Sequence, residues 1–252
     1  LPLVIADETA DSAVWAGLVT EVTHWSGTPQ RDEVRRTVRA AGDDGIAVHG
    51  SLQTLHRVIE GLHRSGRASE VPVAFVAGAN SDEETAMFCR LLDLDTGPDA
   101  VSHALGDPPV RLALARDDIG GVLLHSGELT RTPTLKPFGA QAFHDDAMIA
   151  NGKIGALRVV PDYGNSGLGV RASVVPPGRG STKRTLGRAV QIACDEVHVE
   201  IDGIDLDKTL TKRTWYVDDR AHWLLRGATI PLPYEPQIPG PDRNPFRLRR
   251  RF

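Results

Sequence analysis

Residues 45–62, Gly-Ile-Ala-Val-His-Gly-Ser-Leu-Gln-Thr-Leu-His-Arg-Val-Ile-Glu-Gly-Leu, read as a strand that turns straight into a helix. Gly45 to Val48 is a short apolar run, and Leu52 to His63 carries Leu55, Val58, Ile59 and Leu62 at helical spacing. The same unit recurs downstream: Val71 to Val76 is a strand, and an acidic-started helix runs from Asp82 to Leu92. Upstream, Leu3-Val4-Ile5 reads as a strand. Ala10 to Val22 reads as a helix with Val14, Leu18 and Val22 on one face, and a short second strand is expected near Val22 to Trp25. Gln30 to Ala41 is helical, with Val34 and Val38 inward, and Gly42 stops it. Strands alternating with helices at this spacing imply a parallel sheet covered on both faces. Residues 1–108 are therefore expected to form a doubly wound α/β domain.

Past Pro108-Pro109 the texture changes to short strands punctuated by glycine and proline: 110–115, 121–125, 156–160, 169–175, 188–193 and 198–201. Thr214 to Val217 and Ala221 to Leu225 read as a late hairpin around Asp218-Asp219. Residues 109–230 are thus expected to be an antiparallel β-sandwich. The Pro-rich segment 231–252 ends in Arg247-Leu248-Arg249-Arg250-Arg251-Phe252; it reads as a terminal tail or as a basic contact with an anionic membrane surface. With 29 Lys+Arg against 33 Asp+Glu the net charge is -4, so no global basic field favours nucleic acid as a partner. Two cysteines far apart, Cys89 and Cys194, read as reduced thiols, and no apolar run reaches membrane-spanning length. No secretory signal is read at the start. A cytoplasmic protein, with membrane association through the tail, is the expectation.

In a doubly wound sheet, ligands bind beyond the carboxyl ends of the strands. Two loops fall there, His49-Gly50-Ser51-Leu52-Gln53-Thr54 and Ala77-Gly78-Ala79-Asn80-Ser81-Asp82. Gly50 suits a tight turn, and Ser51 suits a helix cap whose neighbouring N–H groups face an anion. Neither loop has the glycine count of a Walker or dinucleotide fingerprint. His49 is the best placed of the nine histidines for catalysis and equally suits a satisfied edge position. His144-Asp145-Asp146 reads as a solvated loop before a metal site, and Asp202, Asp205 and Asp207 as a polar hairpin before half a calcium loop. No metal ligand set is assigned.

The order of these landmarks resembles the diacylglycerol kinase catalytic-domain family of bacterial lipid kinases. The family phrase GGDGTLNEVVNGL is echoed by GSLQTLHRVIEGL at residues 50–62, and PxGTGNDFA by VPVAFVAGANSDEETA at 71–86. LLDLDTGPDAVSHAL at 91–105, NGKIGALRVVPDYGNSGLGV at 151–170 and Glu200-Ile201-Asp202-Gly203-Ile204 follow family phrases in the same order. The resemblance implies an ATP- and magnesium-dependent transfer of phosphate to a lipid hydroxyl, in a cleft between the two domains. It implies Gly50, Ser51, Thr54, Gly78 and Asn80 as contacts to phosphate or ribose, with Asp202 nearest the reaction, and a lipid or other small hydrophobic substrate.

The departures are chemical. The family's GGDGT aspartate falls on Leu52, which has no acceptor to orient magnesium or a phosphate. Its late acidic pair falls on Asn165 or Ser166 and on Gly169, and the glutamate of its DGE turn falls on Ile204. The early NPxSG loop is replaced by Ile5-Ala6-Asp7-Glu8-Thr9, whose acids repel phosphate. Two readings follow: a divergent lipid kinase, or a catalytically inactive kinase fold acting as a lipid-binding or regulatory module. An oligomer is compatible with either. On the letter-by-letter match, residues 51–53 are expected to lie in a loop and first helical turn that would accept glycine and aspartate.

Overall fold

The computed structural model describes residues 1–19, 21–131, 136–164 and 169–229. A parallel sheet forms from β1 (Leu3–Ala6), β2 (Val22–His24), β3 (Ile46–Gly50) and β4 (Pro72–Ala77), in the order β4-β3-β1-β2. Alternate strand residues point to opposite faces. Ile5, Ile46, Val48, Val73 and Phe75 face a core with α1 (Arg31–Ala40), α2 (Leu52–Arg64) and α3 (Glu83–Leu91). Val4, Ala47, Ala74 and Val76 face the other way, under Trp15 and α4 (Ala100–Gly106). Helix α2 buries Leu55, Val58, Ile59 and Leu62, the stripe that its periodicity predicts, and Leu52 with them.

Residues 10–22 differ from expectation. Among the described residues of this stretch only Ser12–Trp15 is helical, a single 3₁₀ turn capped by Asp11, and Gly17 with φ +77° breaks the path. Val14 and Leu18 are exposed, and it is Trp15 that enters the core.

The remaining strands are β5 (Pro109–Asp117), β6 (Val122–Leu123), β7 (Gly127–Thr130), β8 (Phe138–His144), β9 (Ala147–Ile154), β10 (Ala156–Asp162), β11 (Gly169–Val175), β12 (Lys183–Gly187), β13 (Ala189–Ile201), β14 (Ile204–Asp205) and β15 (Leu210–Arg226). They pair antiparallel around a second core of Phe138, Leu157, Val159, Val190, Val199 and Trp215 among others. The two strands read at 188–193 and 198–201 are one strand, β13, with a bulge between Ala193 and Val197. Before the bulge it pairs with β8; beyond it, residues 198–201 pair with β7.

The late hairpin expected around Asp218-Asp219 does not form. The backbone continues through 218–219 as one 17-residue strand, β15, with a register shift between Val217 and His222. Its length lets it serve both parts: Trp215 and Tyr216 pair with β13, while Leu224–Arg226 lie parallel to β4. Leu112, Leu114, Trp223 and Leu225 accordingly belong to the first core, so segments beyond residue 108 return to the first sheet. The fold is a mixed sheet with four α-helices among the described residues.

Asp117, 4% exposed, pairs with buried Arg213 at 3.0 Å and accepts the N–H groups of Ile119 and Gly121. Cys89 and Cys194 are both free. No helix of the described residues is long and apolar enough to cross a membrane. The basic tail at 231–252 and the positions Asn165 and Ser166 lie outside the described residues.

Candidate functional site

The register of the parallel sheet builds the site. Ala6 on β1 is paired with His49 on β3, so the next residues, Asp7 and Gly50, leave their strands side by side. Gly50 is paired in turn with Ala77 on β4, and the Gly78 N–H donates to the Gly50 carbonyl at 2.9 Å. Ser51 then caps α2, its Oγ accepting the Thr54 N–H. Strand ends and helix N-terminus together make a cradle for negative charge.

That cradle is filled by the chain's own carboxylate. Asp7 Oδ2 accepts the Ser51 N–H at 2.7 Å, the Ser51 hydroxyl at 2.7 Å and the Thr54 hydroxyl at 2.6 Å. Asp7 Oδ1 accepts the Thr9 N–H at 2.9 Å and the Thr9 hydroxyl at 2.7 Å. Burial alone would raise the pKa of this group, but the bonds from Thr54, Ser51 and Thr9 hold it below the ordinary aspartate value. The two loop glycines are explained by the same plug. A Cβ on Gly50 (φ +154°) would collide with the Asp7 carboxylate, and one on Gly78 would collide with Thr9.

The opposite wall comes from the turn Asp202-Gly203 between β13 and β14. Both residues have positive φ (+52° and +78°), the two-residue hairpin geometry that Asp-Gly favours. The Asp202 side chain turns inward and is fully buried. It meets His56 Nδ1 at 2.6 Å and accepts the N–H groups of Leu124, His125 and Ser126. Burial opposes its ionisation, while His56 and the backbone donors outweigh burial and keep its pKa below the ordinary aspartate value. It clamps α2 to the segment 124–126. Gly203 faces Gln53, whose amide donates to Asp82 at 2.9 Å, and Asp82 also caps α3.

Behind this wall lies a set of carboxylates. Pairing of β10, β7 and β13 sets Arg158 beside Glu128 and Glu128 beside Glu200. Burial, with help from Glu200 and Glu84 and against Arg158, pushes the Glu128 carboxyl up to about 7. Glu200 is raised by burial, Asp205 and Glu84. Glu84 itself is held low chiefly by His125, whose Nε2 is 3.1 Å away.

Of the residues expected at the site, Gly50, Ser51, Thr54 and Gly78 converge around the Asp7–Thr9 loop. Asn80 is exposed on the turn after β4, and Asp202 is enclosed against His56. Leu52 corrects the letter-by-letter match: its side chain is fully buried in the first core, and its N–H donates to Thr85 Oγ1. It is not a loop position that would accept aspartate. Gly169 begins β11, paired with Asp162, and Ile204 is half-buried in the hairpin. His49 is a satisfied core histidine: buried, it accepts the Trp15 indole N–H on Nδ1 at 3.0 Å, and burial lowers its basicity. His144, also buried, meets the Thr185 hydroxyl, and Asp145 accepts the N–H groups of Arg188 and Ala189. Sequence reasoning missed Asp7 as occupant and did not single out Gln53, Glu84, Glu128 and Glu200. The signal available was the acid at the end of β1, next to a glycine at the end of β3.

No family model matches the chain, and no curated protein is similar to it in sequence. Solved structures are similar in fold. A diacylglycerol kinase from Bacillus anthracis str. Sterne superposes with a TM-score of 0.65 at 13% identity, covering 88% of this chain and 95% of that one. An NAD kinase from Archaeoglobus fulgidus in complex with ATP gives 0.53 at 13% identity, covering 88% and 92%. A yeast NADH kinase complexed with NADH gives 0.52 at 11%, covering 90% and 74%. The chain thus shares the fold of bacterial diacylglycerol kinases. The residues present do not fit ATP phosphates in this cradle, because the Asp7 carboxylate holds its donors. Among the described residues no group of three or more His, Cys, Asp or Glu could hold a metal ion.

Proposed function

We propose that this chain is a kinase-fold protein that does not transfer phosphate from ATP and serves as a binding or regulatory module. The observation that carries this reading is the Asp7 carboxylate seated on the Ser51 N–H and the Thr54 hydroxyl. A second anion placed there would meet a like charge at contact distance, with its donors already taken. Glu84, held ionised beside the segment that Asp202 anchors, adds negative charge, whereas phosphoryl transfer needs cations or dipoles. Leu52 and Ile204 supply neither a metal ligand nor a base.

The second reading is a divergent lipid kinase. It draws on the fold likeness, which includes a neighbour crystallised with ATP, and on Glu128, a carboxyl group poised near neutrality. Incubation with ATP, magnesium and a panel of diacylglycerols and sphingoid bases separates the two. The proposal expects no phosphorylated lipid, together with stabilisation by a lipid in a thermal-shift screen that ATP does not enhance. Turnover of any lipid in the panel would overturn it in favour of the kinase.

A further inference from the structure

A second site stands apart from the cradle. Between α1 and α2 lies a cavity of about 330 Å³ lined by Arg31, Arg35 and Arg39 from the first helix and Arg57, Glu60 and Arg64 from the second. On α1 the arginines recur at every fourth residue, and on α2 they are seven apart, so each helix presents a cationic stripe on one face. Gly61 lets the helices approach: a Cβ there would press on Val34, and these two residues also line the cavity.

The charge is local. The whole chain carries -4, yet five arginines and a single carboxylate line this one cavity. That carboxylate is shared, Glu60 meeting Arg64 at 2.9 Å and Arg57 at 3.4 Å. Among the described residues Arg35 pairs only with the exposed Asp32, at 3.3 Å. Arg31 and Arg39 have no acidic partner among the described residues. Cations gathered this closely repel one another unless an anion enters, and planar guanidinium groups bind phosphate oxygens in pairs.

We propose that the α1–α2 groove is a binding site for a small ligand carrying two or more phosphate groups, free or as a lipid headgroup. The stripe Arg31–Arg39 is about 12 Å long, from eight residues at the helical rise, long enough to hold two or three linked phosphates. The volume suits a small molecule and not the long tract that a nucleic-acid backbone needs. The lining residues of α2 begin six positions beyond Ser51, so the site is independent of the cradle at that helix's N-terminus.

The test is calorimetry with tripolyphosphate on the full chain, wild type against R31A/R39A and R31K/R39K. All substituted residues are exposed, and circular dichroism checks that the fold persists. Tripolyphosphate should bind the wild type, bind R31A/R39A at least tenfold more weakly, and recover part of the affinity in R31K/R39K. Sedimentation with phosphatidylcholine vesicles, with and without a phosphoinositide bisphosphate, identifies the source. Binding to the doped vesicles assigns a headgroup, and tripolyphosphate binding without vesicle binding assigns a soluble ligand. No binding of tripolyphosphate, equal binding by R31A/R39A, or binding of an oligonucleotide alone would overturn the proposal. ATP binding that survives R31A/R39A would count against the cradle reading and leave the groove untouched.

Discussion

Replacing Asp7 by alanine tests how firmly the cradle is occupied. Asp7 is 7% exposed, and its carboxylate accepts two backbone N–H groups and three hydroxyls. Hydrogen bonds to a charged group contribute about 1.5–3 kcal/mol each, but five on one carboxylate do not add. The helix N-terminus contributes roughly 0.3–2 kcal/mol more. Alanine would leave the Ser51 N–H without its acceptor and open a polar void, so Asp7→Ala should cost about 3–5 kcal/mol. That is a large share of the roughly 5–15 kcal/mol of an ordinary domain. Urea unfolding measures it.

The pH dependence has a defined sign. A carboxyl whose folded value lies below its unfolded 3.8 stabilises the fold above that pH and loses this contribution as pH falls through the folded value. The gap between wild type and Asp7→Ala should therefore be constant near neutrality and shrink below pH 3.8. The vacated cradle should also accept a free anion. Inorganic phosphate at a hundred times its dissociation constant would restore about 2.7 kcal/mol to the variant, beyond any effect on the wild type. A loss under about 1 kcal/mol, or a variant that phosphate stabilises no more than the wild type, would refute the reasoning.

Three further outcomes follow from the same structure. Leu52→Asp puts a charge into the first core and should cost more than about 4 kcal/mol, read as loss of cooperative thermal unfolding. Arg213→Met leaves the buried Asp117 without its cation and should cost about 3–5 kcal/mol by denaturant titration; the double change to Asp117→Asn with Arg213→Met should recover part of it. Glu128 is raised from 4.5 to about 7, so its contribution favours the fold below pH 4.5 and is lost as pH rises through 7. Glu128→Gln should flatten the stability profile across that window and gain on the order of 1–2 kcal/mol at pH 8, after screening at a half-buried site. An unchanged slope would refute the assignment.

What the sequence disclosed is what local pattern encodes. The stripe at Leu55, Val58, Ile59 and Leu62 specified α2, and the glycine and serine before it specified its cap. That stripe also pointed Leu52 inward; matching it by letter to a family aspartate overrode its own periodicity. Residues 10–22 show the opposite error, where three apolar residues four apart mimicked a helix that Gly17 does not sustain. Asp218-Asp219 looked like a turn because acidic pairs favour turns. Only pairing to β4 and β13 at its two ends makes 210–226 one strand. The role of Asp7 was illegible for a related reason. It depends on the register of β1 against β3, a contact across more than forty residues that no short window contains.

The Ser51 amide reports on the central claim directly, because its N–H points at Asp7. Nuclear magnetic resonance of the ¹⁵N-labelled chain should follow the Ser51, Thr54 and Gly78 amides while ATP and magnesium are added to millimolar concentration. If Asp7 holds the cradle, these three resonances stay in place, and any shifts fall on α1 and the second half of α2. Saturable movement of the Ser51 and Gly78 resonances would mean that a nucleotide phosphate displaces Asp7, and the account of a filled cradle would be wrong.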